Sequence, residues 1–481
     1  MSCFEDQVVT TVAAHDFFAS ERPLWVARAP GRLDVMGGNV DYTGGMVLQS
    51  LLREAVWVAV QPRTDDRIRV LNPGAAQFGW EPCLEHRMDD LRDLESFRLL
   101  CGRGKSLSWS CYVLGAVFFL KNRYACDDAR GLDLFVASDL PPNRGVSSSA
   151  ALEVATLKAA STAWGVCLEG VRLATAGQWV ENVVAGAACG IMDQAAIVLG
   201  TEGHLLPILC QPCWPSPPIK LPAGLQLWGI DSMVPRSTAG VAYETARAAA
   251  FMGYKLICQY EGIGLAPVEI SGIPRWTDAR WGGYLSNLAP SEFRSRHERW
   301  LPESLSGREF LELAGEHVDP FTRVIQEMDY PVRAAVRYAT EENLRVQTIY
   351  KLLDAATWSG SDSSLGLIGE ILCQSHVAYR ECGLGSEACD ELVSRALQKG
   401  FPGAKMTGGG AGGVVAILGR SADRHAIRSV AEEYGAGHGT VPYIFEGSSG
   451  GVDVFGVRTM QLFPNAANAL STRAVNRSHP V

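Results

Sequence analysis

The chain has 481 residues, of which 47% are hydrophobic and 20% charged, so it can bury a large core and is not of disordered composition. Its 43 basic and 52 acidic side chains give a net charge of −9, which argues against nucleic acid or an anionic membrane surface as the main partner. Residues 1–20 lack signal-peptide features, and no segment holds the roughly 18 consecutive apolar residues that a membrane span needs. These features predict two globular domains in a soluble, cytoplasmic protein whose partners are small molecules.

Apolar segments, taken in chain order, predict a protein that mixes helices and strands. The runs at residues 55–60 and 132–137 are typical of strands. The segments at residues 149–163 and 243–260 are rich in Ala, Leu and Met and contain few helix breakers, which favours helices. This mixture indicates an α+β or α/β fold.

A proline-rich stretch at residues 210–222 marks the predicted domain boundary, because its five prolines can continue neither a helix nor a central strand. The predicted domains are 1–215 and 216–464, followed by a polar tail at 465–481. A polar, tryptophan-containing stretch at residues 270–320 is interpreted as an insertion or helical extension of the second domain.

The 13 cysteines are odd in number and have no repeating spacing, which favours free thiols over a disulfide framework. Cys210 and Cys213 form the one C-x2-C pair, and a zinc site would need a second pair at the usual distance. We interpret these two residues as buried thiols beside a proline-rich turn, and a metal or redox role is the less favoured alternative.

The loop before the predicted helix at 149–163 has the composition of an anion-binding site. It reads Pro141-Pro-Asn-Arg-Gly145-Val-Ser147-Ser148-Ser149. A glycine permits a tight turn, the hydroxyls can face a phosphate and its metal, and the start of a helix carries partial positive charge. The alternative is that the serines merely cap a core helix.

Two further segments are rich in glycine. Residues 408–413 satisfy G-x-G-x-x-G, but a strand-like run follows at 414–418 where a dinucleotide fingerprint requires a helix. This glycine loop could approach a ligand with its backbone, or could be a mobile turn. Residues 28–45 alternate polar groups with glycines between two apolar runs, a pattern that suits a sugar or another polyol better than a core.

In chain order these segments resemble the signature motifs of the GHMP small-molecule kinases. Residues 28–45 resemble the galactokinase signature, Gly-Arg-x-Asn-x-Ile-Gly-Glu-His-x-Asp-Tyr, and the resemblance continues through 109–115, 181–194 and 382–390. It implies an α+β fold with an N-terminal domain like ribosomal protein S5 domain 2 and a ferredoxin-like C-terminal domain. The active site is expected between the two domains.

The resemblance also assigns roles to matched residues. Asp193 resembles the carboxylate that takes the proton of the anomeric hydroxyl, and Arg32 resembles the arginine that pairs with it. A nearby cation favours a charged carboxylate and can offset charge on the transferring phosphoryl group. ATP is the implied co-substrate and Mg²⁺ the implied cofactor, with Ser148 and Glu181 as metal ligands. The sequence does not show which of the three serines binds the metal.

ATP and the sugar are the partners that the resemblance implies, and the sequence leaves the oligomeric state open. The residues expected to contact ATP are Gly145, Ser147, Ser148, Ser149 and Trp109, with a core position as the alternative for Trp109. The residues expected to contact the sugar are Gly38, Asn39, Asp41, Gly190 and Tyr243.

The substrate prediction depends on one departure from the galactokinase pattern. Gly38 and Asn39 stand where galactokinases carry Glu-His, and the missing acidic group contacts the C6 hydroxymethyl of galactose in that family. L-Arabinopyranose is galactose with C6 deleted, and the sequence is similar to the kinase region of plant L-arabinokinases. A site without the partner for a hydroxyl loses preference for it. We therefore predict phosphorylation of L-arabinose at the anomeric hydroxyl.

Two alternatives remain open. The protein could instead be a galactokinase acting on D-galactose, or Gly38 could make room for a larger C6 substituent, such as an acid or a modified galactose. A non-catalytic sugar sensor is less favoured, because the serine loop at 147–149 is of full length and Asp193 is present.

Overall fold

The computed structural model describes residues 17–19, 21–102, 109–124, 130–235, 240–353 and 362–461, without the side chains of residues 101, 102 and 362. The predicted polar tail at 465–481 lies outside these residues. No helix in the described ranges is both long enough and apolar enough to cross a bilayer.

Strands and helices alternate irregularly along the chain. The strands are β1 (Pro23–Met36), β2 (Met46–Pro62), β3 (Arg67–Leu71), β4 (Cys83–Arg87), β5 (Leu132–Ser138), β6 (His204–Leu209), β7 (Trp214–Pro215), β8 (Ile219–Lys220), β9 (Leu225–Asp231), β10 (Ala266–Ile270), β11 (Ile273–Thr277), β12 (Leu305–Ser306), β13 (Asp329–Tyr330), β14 (Gly403–Met406), β15 (Val414–Arg420), β16 (Ile444–Glu446) and β17 (Val457–Gln461). The α-helices are α1 (Leu94–Gly102), α2 (Ser110–Arg123), α3 (Ser148–Ala163), α4 (Gly170–Trp179), α5 (Met192–Leu199), α6 (Val241–Tyr260), α7 (Pro290–Glu292), α8 (Gly307–Ala314), α9 (Val332–Leu352), α10 (Asp362–Glu381), α11 (Glu387–Gln398), α12 (Arg424–His438) and α13 (Val452–Phe455). Short 3-10 helices cover Pro73–Phe78, Met88–Leu91, Leu285–Asn287 and Ser421–Asp423, and π-helical turns cover Val180–Val184 and Phe293–His297.

The first sheet has nine strands. Its main path runs β17-β1-β2-β5-β3-β4, and β6 pairs with another part of β2 and with β7 and β8. The β3–β5 pair is parallel, and the other pairs are antiparallel. Helix α3 packs on β1 and β2, and its residues from Ala150 to Ser161 are all buried. Its many alanines suit this position, because Ala favours helix and allows close packing.

The second sheet has the order β14-β15-β9-β16, with every pair antiparallel. Helices α10 and α11 pack against β14. The glycine segment 407–413 joins β14 to β15, so the expectation of a strand at 414–418 is confirmed. The predicted strands at 55–60 and 132–137 lie within β2 and β5.

The predicted helices at 149–163 and 243–260 correspond to α3 and α6. Residues 270–320 contain the end of the β10–β11 hairpin and several short helical segments rather than one long helical extension. Their apolar side chains pack with α6 and α9 in a core cluster that includes Trp281, Phe293, Leu301 and Phe310.

The domain division between residues 215 and 216 stays a prediction. Two pairings bear on it: β8 pairs with β6, and β17 returns to pair with β1 through Pro23 and Gln461. The first sheet therefore contains strands from both sides of the proposed boundary.

Most described cysteines are free thiols, including the buried pair Cys210 and Cys213, which confirms their interpretation as buried thiols. Cys111 is disulfide-bonded, which the prediction of free thiols did not anticipate. Spacing alone could not reveal this pairing, because a disulfide depends on which side chains the fold brings together.

Candidate active site

Arg32 and Asp193 form an ion pair at the centre of the site. Arg32 lies on β1 and is 1% exposed, and Asp193 is the second residue of α5. Arg32 Nε and Nη2 approach Asp193 Oδ1 at 2.9 and 2.7 Å. Arg32 Nη1 donates to the Gly145 carbonyl oxygen at 2.6 Å. The structure thus brings the two predicted residues together and ties them to the serine loop.

The serine loop turns sharply before it enters α3. Asn143, Gly145 and Ser147 have φ values of 58°, 74° and 62°. A left-handed conformation costs a non-glycine residue roughly 1–2 kcal/mol, so it persists only where other contacts fix it. For Ser147 that contact is a 2.5 Å hydrogen bond from Oγ to Asp193 Oδ2. The loop is therefore shaped to place a hydroxyl on this carboxylate.

Ser149, rather than Ser148, faces the predicted metal ligand. Its Oγ donates to Glu181 Oε1 at 2.9 Å, whereas Ser148 is the first residue of α3. Gln194 Nε2 donates to the other oxygen of Glu181 at 2.6 Å and to Glu153 Oε1 at 2.8 Å. Ser148 as the metal ligand stays a prediction, and Ser149 is the serine that the fold places beside Glu181.

Acidic side chains are concentrated around this hydrogen-bond network, where burial disfavours their charged forms. Burial, with a contribution from the Asp193 carboxylate, raises the pKa of Glu181 to about 7. Burial and the neighbouring Glu181 raise the pKa of Glu153 well above its ordinary value. Hydroxyl and carboxylate oxygens are ligands that Mg²⁺ accepts, and a divalent cation would offset this charge. No group of three His, Cys, Asp or Glu side chains in the described ranges suits a metal, so phosphate oxygens or water would have to complete its coordination.

A cavity of about 560 Å³ opens beside the serine loop. Its lining includes the residues predicted to contact ATP, which are Gly145, Ser147, Ser148, Ser149 and Trp109, together with Asp193. Trp109 is 5% exposed, and its indole Nε1 has no hydrogen-bond partner among the described residues. The cavity also has a wall from Asn72, Phe78 and Trp80 that the sequence did not predict.

Asp41, from the predicted sugar motif, lies against the start of α5. Its Oδ2 accepts a hydrogen bond from the Met192 backbone N–H at 3.4 Å. A Cβ added to Gly190 would lie 1.9 Å from the same oxygen, so only glycine permits this approach. Burial and the Asp193 carboxylate raise the pKa of Asp41 to about 6.

Gly38 is packed tightly rather than beside open space. A Cβ added there would lie 2.1 Å from Tyr379 Oη and 2.5 Å from both Asp34 Oδ2 and the Gly408 carbonyl oxygen. Tyr338 Oη donates to the Gly38 carbonyl oxygen, and Tyr379 Oη donates to that of Gly408, each at 2.6 Å. Atoms of the protein therefore fill the position where a side chain would begin.

Asp34 and Lys405 form a fully buried ion pair beside Gly38, with Nζ and Oδ2 3.3 Å apart. Asp34 Oδ2 also accepts from the backbone N–H groups of Gly38 and Gly408, at 3.1 and 3.2 Å. Gln49 Nε2 donates to Oδ1 at 2.7 Å. Asp34 stands where the galactokinase signature has Asn, and it joins the sugar motif to the glycine loop.

Asn39 and Tyr243 complete the predicted sugar residues. Asn39 has a φ of 62°, its Nδ2 lies 3.5 Å from the Gly408 carbonyl oxygen, and its buried Oδ1 has no partner in the described part of the chain. Tyr243, on α6, packs edge-on against Tyr42, with ring centroids 6.0 Å apart. Burial raises the pKa of the Tyr243 hydroxyl.

The structure thus brings Gly145 and Ser147 into contact with the Arg32–Asp193 pair and Asp41 against the start of the same helix α5. The residues that sequence reasoning missed share one property, which is that no recognised motif assigns them a role at the site. They are Asp34, Tyr338, Tyr379, Lys405 and Arg247. Asp34 alone carried a usable signal, because it departs from the family's Asn.

Three segments of the chain match known protein families. Residues 15–62 match the galactokinase galactose-binding signature, residues 111–201 the GHMP kinases N terminal domain, and residues 349–437 the GHMP kinases C terminal domain. These segments include the sugar motif, the serine loop and the glycine loop.

Curated relatives agree with these matches. The chain is 35% identical to an L-arabinokinase of Arabidopsis thaliana over 92% of its own length, but it spans about half of that protein, 47%. It is 30% identical to a galactokinase of Chloroflexus aurantiacus, over 88% of this chain and 93% of that one.

A solved structure of Lactococcus lactis galactokinase complexed with galactose has the same fold. It superposes with a TM-score of 0.72 at 20% identity, covering 93% of this chain and 98% of that one. A Methanococcus jannaschii mevalonate kinase superposes with a TM-score of 0.53 at 14% identity, over 88% and 98%. From these matches and the order of the motifs along the sequence, the chain belongs to the GHMP kinase family, in the group that includes galactokinases and L-arabinokinase.

Proposed function

We propose that the protein is an ATP-dependent sugar 1-kinase that converts L-arabinose to L-arabinose 1-phosphate. The chemistry is supported by Asp193, which Arg32 and Ser147 hold in one orientation at the edge of the cavity. The anomeric oxygen forms a bond to the γ-phosphorus, the bond from that phosphorus to the β,γ-bridging oxygen breaks, and ADP leaves. The hydroxyl proton passes to Asp193, which orients the nucleophile as well as accepting its proton.

The other residues position and shield the reactants in this proposal. The serine loop and the N-terminus of α3 bind phosphate oxygens, and Trp109 contacts adenine. Arg32 offsets charge that develops on the transferring phosphoryl group. Mg²⁺ held by Glu181 and a loop serine would neutralise charge on the β- and γ-phosphates.

L-Arabinose is supported by the surroundings of Gly38. No acidic side chain extends from position 38, and Tyr379, Asp34 and Gly408 occupy the space where one would begin. A pentopyranose has no C6 hydroxymethyl that needs such a partner. The relative that matches at 35% identity is named an L-arabinokinase.

D-Galactose or a C6-altered galactose is the second candidate. One observation favours it. This chain covers about nine-tenths of the length of three relatives that are named galactokinases. A non-catalytic sugar sensor is a third and weaker candidate, and phosphorylation of any sugar would exclude it.

The test compares wild-type kcat/KM for L-arabinose, D-galactose, 6-deoxy-D-galactose and D-galacturonate with Mg²⁺ and ATP. We expect L-arabinose to be preferred over D-galactose by roughly 10-fold or more, the range that one substituent in a shaped pocket gives. Phosphorus NMR should place the phosphate on the anomeric oxygen. Preference for D-galactose would overturn the substrate assignment, and an absence of turnover with all four sugars would overturn the proposed activity.

A further inference from the structure

One buried cation beside the proposed sugar residues has no role in the steps above. Arg247 lies one helical turn after Tyr243 on α6 and is 3% exposed. Its Nε and Nη2 donate to the two carboxylate oxygens of Asp319, each at 2.8 Å. This bidentate pairing fixes the plane of the guanidinium group.

Aromatic rings and a further hydrogen bond restrict the same pair. The Arg247 guanidinium carbon lies 4.8 Å from the ring centroid of Tyr42 and 5.7 Å from that of Phe321. Thr322 Oγ1 donates to Asp319 Oδ2 at 2.7 Å. Arg247 therefore extends from α6 to contact both the sugar motif and the segment 317–322. That segment belongs to no recognised motif.

The third guanidinium nitrogen is left over. Arg247 Nη1 is buried and makes no hydrogen bond of good geometry among the described residues, although the Arg247 side chain lies within reach of the Tyr243 hydroxyl. A buried donor without a partner is costly, and it is a common feature of sites that a polar ligand completes. Its charge also acts on two predicted sugar residues, because it opposes the rise in pKa that burial causes at Asp41 and Tyr243.

We propose that Arg247 is a sugar-binding residue whose Nη1 donates a hydrogen bond to a ring hydroxyl of the bound sugar. Asp319 is the positioning residue that holds the guanidinium in place for this contact. The inference rests on the proposed sugar kinase activity and adds the segment 317–322 to the sugar site. It gives a function to Arg247, which contacts both Asp319 in this segment and Tyr42 in the sugar motif.

The test uses Arg247→Lys and Asp319→Asn in the full chain, with Arg294→Lys as the matched control. Arg294 also pairs with a carboxylate, Glu341, but its side chain is 63% exposed and lies outside the proposed site. For each protein, KM for L-arabinose and D-galactose, KM for ATP and kcat are measured, and sugar binding is measured by calorimetry. Thermal unfolding with and without ATP reports whether each variant is folded.

We expect Arg247→Lys to raise the KM and the dissociation constant of the sugar by roughly 10- to 100-fold, the loss of a hydrogen bond from a charged donor. KM for ATP should change by less than about 3-fold. In Arg294→Lys, kcat, both KM values and the sugar dissociation constant should also change by less than about 3-fold. Asp319→Asn should give a smaller rise in sugar KM, and it supplies the same test if Arg247→Lys does not fold.

Unchanged sugar KM in a folded, active Arg247→Lys, or equal increases in the KM of sugar and of ATP, would overturn this inference. Neither result would affect the proposed function, because that proposal is tested on the wild-type protein, by its preference between L-arabinose and D-galactose and by its turnover of the four sugars.

Discussion

The proposed phosphate-binding part of the site comes from one loop and the start of one helix, whereas the proposed sugar site is assembled from segments far apart in sequence. Ser147 and Ser149 lie in one loop and its helix. By contrast, the carbonyl oxygen of Gly38 accepts its hydrogen bond from Tyr338, 300 residues further along the chain. A local motif therefore describes the nucleotide side well, while specificity on the sugar side depends on long-range packing.

The largest effect is expected where the two sides meet. Asp193→Ala should lower kcat by roughly 10²- to 10⁴-fold, because the group that orients and deprotonates the sugar hydroxyl is removed. ATP should still bind, since Ser148, Ser149 and the start of α3 are retained, but with some loss of affinity because Ser147 loses its hydrogen bond to Asp193. Steady-state kinetics and calorimetric ATP titration measure the two quantities.

Asp329→Ala is the control for this variant, because Asp329 is an exposed carboxylate on the short strand β13. A kcat for Asp193→Ala close to that of wild type would remove Asp193 from the mechanism.

The second prediction tests whether the sugar side depends on packing. Sequence comparison suggests that Gly38→Glu restores a partner for C6 and favours galactose. The structure predicts another result, because even a Cβ would lie 2.1 Å from Tyr379 Oη. Overpacking costs about 1–3 kcal/mol, so Gly38→Glu and Gly38→Ala should both lose roughly 10-fold or more in kcat/KM for both sugars.

The ratio of the two sugars should change little in either Gly38 variant, and thermal unfolding should show lower stability. Gly437→Ala on α12 is the matched control, since an added Cβ there meets no atom within 4 Å. A stable Gly38→Glu protein that prefers galactose would show that the loop repacks and that residue 38 alone sets specificity.

The smallest effect is expected at the wall of the nucleotide cavity. Trp109→Ala should raise KM for ATP by roughly 5- to 10-fold, the contribution of one aromatic contact, and leave KM for the sugar unchanged. Trp109→Phe should retain most of the affinity. Trp214→Ala is the control because that side chain is 66% exposed. If Trp109→Ala raised KM for the sugar instead, Trp109 would not belong to the nucleotide side alone, and the comparison of the two sides would fail.

Much of the fold was predictable because local patterns determine its central elements. The Ala-rich run after the serines predicted α3, and the apolar run that follows the glycine loop predicted β15. The pairing of β17 with β1 was not predictable, since a five-residue strand carries no information about a partner so distant along the chain.

The candidate site divides in the same way. Arg32, Asp193 and the serine loop were identifiable because their chemistry requires particular residue types at fixed spacing. Lys405 and Tyr379 were not identifiable, because buried ion pairs and hydroxyl contacts become visible only after the fold places them beside Asp34 and Gly408. Residue 38 shows the consequence, since the sequence left open whether Gly38 makes room for a larger C6 substituent, whereas in the structure protein atoms occupy the position of a Cβ.

The return of β17 to the first sheet has a consequence for synthesis of the protein. β1 is translated among the first strands, yet its hydrogen-bonding edge at residues 23–27 stays without β17 until residue 461 has left the ribosome. An unpaired strand edge is a template for association with other chains. The nascent protein therefore depends on β17 to close this edge, and a chain that stops before residue 457 would expose it permanently.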